Sequence, residues 1–124
     1  MVYLKRLRKG VSYMCTKSQA VDILSEVYHA CVSIFSDNIK EAYLYGSYAR
    51  GDFNKDSDVD ILVTAALERS ELSKFRHALA GLSSDLSLKH NVTVSLTVKP
   101  HADFIYYNTT LPFYANVIKE GIRY

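Results

Sequence analysis

Asp58 and Asp60 stand two residues apart in Ser57-Asp58-Val59-Asp60-Ile61-Leu62-Val63, a spacing that suits metal-assisted chemistry on phosphate. Two residues of extended chain advance about 6.6 Å and return the side chain to the same face, so both carboxylates can converge on closely spaced metal ions. Val59, Ile61 and Val63 take the opposite, apolar face. Acidic residues where a loop enters a strand are commonly just solvated. Here they open an apolar strand, where nothing structural asks for adjacent like charges, and such charges repel unless a cation or donors offset them. Twelve positions before Asp58, Gly46 allows a tight turn and close approach of a ligand, and Ser47 adds a hydroxyl and an amide where a helix would begin. Those are phosphate-binding features, and Arg50 and Lys55 are the cations in the intervening loop.

In combination, Gly46-Ser47-Tyr48-Ala49-Arg50-Gly51 followed by Ser57-Asp58-Val59-Asp60 resembles the signature of the polymerase-β-type nucleotidyltransferase superfamily. The small size resembles its minimal nucleotidyltransferases, often encoded beside a helical HEPN partner, and the ending from Leu111-Pro112-Phe113 to Lys119-Glu120-Gly121 resembles the tail of one stand-alone bacterial branch. The resemblance implies transfer of a nucleoside monophosphate from a nucleoside triphosphate, with ATP the first choice, to a hydroxyl acceptor. Asp58 and Asp60 would be catalytic and hold two Mg²⁺, with Mn²⁺ an alternative. Gly46 and Ser47, helped by Arg50 or Lys55, would hold the β- and γ-phosphates. A HEPN-family partner tyrosine as acceptor would make this chain an antitoxin.

The superfamily usually takes a third carboxylate from a later strand. In this chain the polar face of that strand carries Thr93, Ser95 and Thr97, and Ser95 or a neighbouring threonine falls at the third-carboxylate position. A hydroxyl is a poor base at neutral pH, and general-base help is typically worth a factor of about 10² to 10⁴. The alternative reading is therefore a catalytically reduced domain acting as a partner-binding antitoxin or a nucleotide-binding subunit. Asp85 and Asp103 fall in other elements.

The elements that must position these residues are legible as patterns. Thr16 and Gln19 have capping-box spacing, and Val21, Leu24, Val27, Tyr28, Cys31 and Phe35 recur at helical intervals up to Ser36-Asp37-Asn38. His29 is expected at the surface and Cys31 in the core. Ala42 to Tyr45 reads as a strand stopped by the glycine turn, and Val59 to Val63 as a second. Glu68 to His90 reads as helical, with Leu72, Phe75, Leu79, Leu82 and Leu86 on one stripe and a kink or close packing expected at Gly81. Asn91 to Lys99 alternates as a third strand. Two short helical pieces follow, the second with Pro112 in its first turn, Gly121 just past its end, and Phe113, Val117 and Ile118 packing inward. The expected fold is α/β (α+β), a small mixed, mainly antiparallel sheet with helices packed on one side.

At 124 residues the chain can bury one modest core, so a single domain over residues 16–124 is expected, and any substrate domain must come from a partner. Residues 1–15 form a basic extension, with no acidic residue before Asp22. It reads as a nucleic-acid or acidic-partner arm, a docking segment, or an over-extended start with Met14 as the true initiator; docking is favoured because apolar residues interleave with the charges. A net charge of +2 does not by itself indicate nucleic-acid binding. Cys15, Cys31 and the four scattered histidines form no zinc or disulfide pattern. No apolar run is long enough to span a bilayer, which makes the cytoplasm the expected location. Small size and an exposed sheet edge leave a homodimer open.

Overall fold

A computed structural model of the protein describes residues 15–124. The predicted basic extension, residues 1–15, lies outside the described residues except for Cys15, which is packed into the main core. Helix α1 (Lys17–Phe35) begins at the predicted capping box: the Thr16 hydroxyl accepts from the Gln19 amide, and the Gln19 side chain accepts from the Thr16 amide. Its buried stripe is Ala20, Ile23, Leu24, Val27, Cys31 and Phe35. Val21, expected inside, is exposed, because Ala20 and Ile23 take the inward positions of that turn. His29 is exposed and Cys31 fully buried, as their places on the helix suggested.

Strands β1 (Ile39–Tyr45) and β2 (Val59–Ala65) are antiparallel and are joined through a one-turn helix, α2 (Ser47–Arg50), and the acidic loop. The predicted long helical region divides into α3 (Arg69–Leu72), a 3₁₀ turn at Ser73–Phe75, and α4 (Arg76–His90). Helix α4 runs unbroken through Gly81, which does not pack tightly, since a Cβ placed there would meet nothing within 4 Å. Strand β3 (Val94–Pro100) runs parallel to β2 at one edge of the sheet. Helices α5 (His101–Tyr107) and α6 (Pro112–Glu120) follow, and the chain closes with β4 (Ile122–Arg123), antiparallel to β1 at the other edge. Sheet order is β3-β2-β1-β4, with two antiparallel pairings and one parallel.

The helical cover corrects the expected one-sided arrangement. Val59, Ile61, Val63, Ala42 and Leu44 face the larger core under α1 and α4. Tyr43 and Leu62 project from the opposite face into a second cluster with Phe104 of α5 and Tyr114 and Val117 of α6. The cause is strand alternation: Leu62 lies on the carboxylate face of β2 and must be covered there. On α6 the inward residues are Tyr114 and Val117, while Phe113 and Ile118 are half exposed, because the helix is rotated from the expected face. Thr64, also on this face, is fully buried; its hydroxyl accepts from the Glu41 amide at 3.1 Å and lies 2.9 Å from His101 Nδ1.

Candidate active site

Gly46 forms the corner between β1 and α2 with φ 77° and ψ −155°, a conformation favoured only for glycine. The Asp60 carboxylate lies directly against it: a Cβ on Gly46 would sit 2.4 Å from Asp60 Oδ2. The β1–β2 register explains the approach, since Tyr45, the residue before the corner, is paired with Asp60. Helix α2 is held from behind. Tyr48 is 1% exposed and stacks on Phe53 with ring centroids 4.3 Å apart. Burial pushes the Tyr48 phenol up to about 12, so it stays a neutral anchor. Lys17 Nζ donates to the Ala49 carbonyl at 3.3 Å, tying α2 to α1.

Asp60, Gly46, Ser47 and Arg50 line one cavity of about 380 Å³, together with Tyr45 and with Phe113, Asn116, Val117 and Glu120. Asp58 and Lys55 open instead on a neighbouring cavity of about 400 Å³ that also contains Ser57, Tyr48 and Thr93. The structure therefore brings four of the six predicted residues around one space, with Asp58 at the start of β2 beside it and Lys55 on the far side of the loop. A larger cavity, about 800 Å³, lies beyond the carboxyl ends of β2 and β3, between Ala66–Glu71 and Pro100–Asp103, away from both carboxylates.

Asp60 is half-buried and Asp58 exposed. Burial and then the Asp58 charge push the Asp60 carboxyl above the ordinary aspartate range, with Arg50 opposing them. A carboxylate held in this way favours a cation. Among the described residues no third carboxylate, histidine or cysteine joins the pair in a metal-holding group. A Mg²⁺ ion fits such a set when phosphate oxygens and water complete its coordination. Ser95 is the β3 residue paired with Asp60, so the third strand does present a hydroxyl there. Thr97 pairs with Leu62, two residues further along β2 from Asp60. Asp103 pairs with Arg69 at 3.3 Å, away from the site.

Sequence reasoning did not single out the wall made by α6. Asn116 and Glu120 reach the cavity from the segment read only as a packing helix. Their spacing of four residues on one helix face was the available signal.

A turn of glycine and serine facing a paired carboxylate on a small mixed sheet defines a nucleotidyl-transfer fold, and the chain belongs to the nucleotidyltransferase domain family, which it matches over residues 24–124. Members of this family generally use a divalent metal. A candidate protein adenylyltransferase of Methanocaldococcus jannaschii is 31% identical over 98 residues, 79% of this chain and 90% of that protein. The protein adenylyltransferase MntA of Thermococcus cleftensis is 41% identical over 59 residues, 44% of this chain and 60% of that one. A solved toxin–antitoxin structure with AMP-PNP aligns at a TM-score of 0.50 and 21% identity, over 77% of this chain and 68% of that one, a likeness of fold. Among the described residues, no helix is long and apolar enough to cross a membrane.

Proposed function

We propose that this domain transfers AMP from ATP to a tyrosine hydroxyl of a HEPN-family partner protein, acting as the antitoxin of the pair. The observation that supports this reading is the packing of the Asp60 carboxylate against the Gly46 corner, with both lining one cavity beside Ser47 and Arg50. The acceptor hydroxyl loses its proton to solvent, since β3 offers no carboxylate to take it, and its oxygen attacks the α-phosphorus in line. The bond from that phosphorus to the bridging oxygen breaks, and pyrophosphate leaves. Gly46 and Ser47 hold the β- and γ-phosphates through backbone and hydroxyl donors, with Arg50 adding charge-assisted bonds. Two Mg²⁺ ions on Asp58 and Asp60, or Mn²⁺ in their place, would supply neutralisation of the triphosphate charge and polarise the α-phosphoryl group. A protein as acceptor and an adenylate as the transferred group are supported by the protein adenylyltransferase relatives, a toxin–antitoxin pair by the fold neighbour, and the HEPN tyrosine is what the family resemblance implies.

The test is co-expression with the product of the neighbouring gene, followed by intact mass of that partner after incubation with ATP and Mg²⁺. The expected result is a gain of whole adenylate units that requires the metal. A partner that never gains mass overturns the transfer reading.

A second reading, a binding domain that has given up catalysis, is favoured by Ser95 beside Asp60. Ser95→Asp distinguishes the two. If the domain is an enzyme lacking base help, the new carboxylate raises the transfer rate by about 10²-fold, the lower end of the usual range for general-base assistance. No gain, with ATP binding intact, would favour the binding domain.

A further inference from the structure

We infer that Glu120 is a positioning residue for Arg50, presenting its guanidinium to the triphosphate. The inference rests on the proposed ATP chemistry and extends the site to the C-terminal helix. Arg50 Nε donates to Asp52 Oδ2 at 3.3 Å, and Nη1 donates to Glu120 Oε2 at 3.4 Å, across 70 residues of sequence. A guanidinium has five N–H donors in a fixed plane. These two bonds hold the plane through two different nitrogens, Nε and Nη1, and leave three donors, both of Nη2 among them, for phosphate oxygens, in the way that an outer carboxylate orients a ligating histidine.

Glu120 is itself fixed in place. The β4–β1 register, Leu44 with Ile122 and Tyr43 with Arg123, continues outward to bring Gly46 and Glu120 to the same end of the sheet. Between Glu120 and Ile122, Gly121 packs its backbone against the last turn of α6 and against β1: a Cβ there would lie 2.3 Å from the Val117 carbonyl oxygen and 3.2 Å from that of Leu44. A carboxylate that merely occupied empty space would have no need of such a mount. Nor does Glu120 suit the role of a metal ligand or base, since it lies on the Arg50 side of the cavity, where the leaving pyrophosphate would be held. The opposite possibility is an anion that competes with the phosphates for Arg50, and it reverses the sign of the effect.

The experiment is calorimetric titration of the full chain with ATP and with AMP in Mg²⁺, using wild type, Glu120→Gln, Arg50→Ala and the double variant. Positioning predicts that Glu120→Gln weakens ATP about fivefold and leaves AMP unchanged, since AMP lacks the phosphates that Arg50 would meet. In the Arg50→Ala background, Glu120→Gln has no further effect. Tighter ATP binding, an equal loss for AMP, or an additive loss in the double variant overturns the inference. Asp58→Asn/Asp60→Asn serves as the separate control. Metal-dependent ATP binding lost in that control supports the site, so a failure at Glu120 alone leaves the proposed function standing. Wild type that binds no ATP overturns both.

Discussion

Asp60→Asn abolishes transfer, by at least about 10³-fold, while raising the melting temperature of the metal-free protein. The first half follows from the proposed role of Asp60 as a charged metal ligand, since several kcal/mol of transition-state stabilisation correspond to that factor. The second follows from the electrostatics of the empty fold. Burial and Asp58 hold the Asp60 carboxyl above the ordinary aspartate range, so its ionised form opposes folding. With the folded pKa raised above an unfolded value of about 3.9, the folded chain binds the extra proton, and stability falls as pH rises through that interval. Asparagine is close in shape and uncharged, so it keeps the contact with Gly46 and removes the penalty. The advantage of the variant is therefore largest at neutral pH, narrows as pH is lowered through the folded pKa, and is gone below the unfolded one. Thermal melts across pH without metal, beside a transfer assay, check both halves. A variant that melts lower at neutral pH would show that the Asp60 charge does not oppose folding, and one that transfers at the wild-type rate would show that Asp60 is not a ligand.

The second large effect is expected at Gly46→Ala. Alanine at φ 77° and ψ −155° carries strain of about 1–3 kcal/mol. Its methyl would also need the space of Asp60 Oδ2, 2.4 Å away, so the carboxylate must swing out. Displacing a reacting group by an ångström typically costs about 10²-fold, and here the proposed phosphate turn and the proposed metal ligand are both moved. ATP binding and transfer should fall together by at least that factor. Gly51 is the control. It also has a positive φ, 96°, but a Cβ there meets nothing within 4 Å. Asn tolerates that backbone region, so Gly51→Asn should keep most of the activity. Equal losses at the two glycines would mean that strain alone, and not the contact with Asp60, explains Gly46.

What the sequence discloses here follows from how local each signal is. The Thr16–Gln19 box and the Pro112 and Gly121 boundaries of α6 depend on neighbours within a few residues, and they were readable. So were the two strands and the turn that carry Gly46, Ser47, Asp58 and Asp60, where alternation and a glycine coincide. Strand β4 was not, because two residues carry no period and it exists only through pairing with β1. Leu62 fell on the carboxylate face of its strand, and the need to cover it was not legible because the helices that do so come from the C-terminal part of the chain. Gly81 drew attention as a weak helix former, whereas the actual break at Ser73–Phe75 contains no glycine or proline. Glu120 could not be joined to Arg50 from the sequence, since only the folded sheet brings them together.

The two-sided cover also sets a hierarchy of local stability. The Asp60 and Ser47 side of the cavity stands on the sheet and the larger core, whereas α6 rests on the small cluster of Tyr43, Leu62, Phe104, Tyr114 and Val117. Fewer buried apolar contacts mean a smaller free energy of local opening. Helix α6 should then open as a sub-global unit while the sheet stays closed, and its amides should exchange with solvent sooner than those of β2. A ligand bridging both walls would have to lock this looser unit against the firm one, so part of its binding energy would be spent on quieting α6.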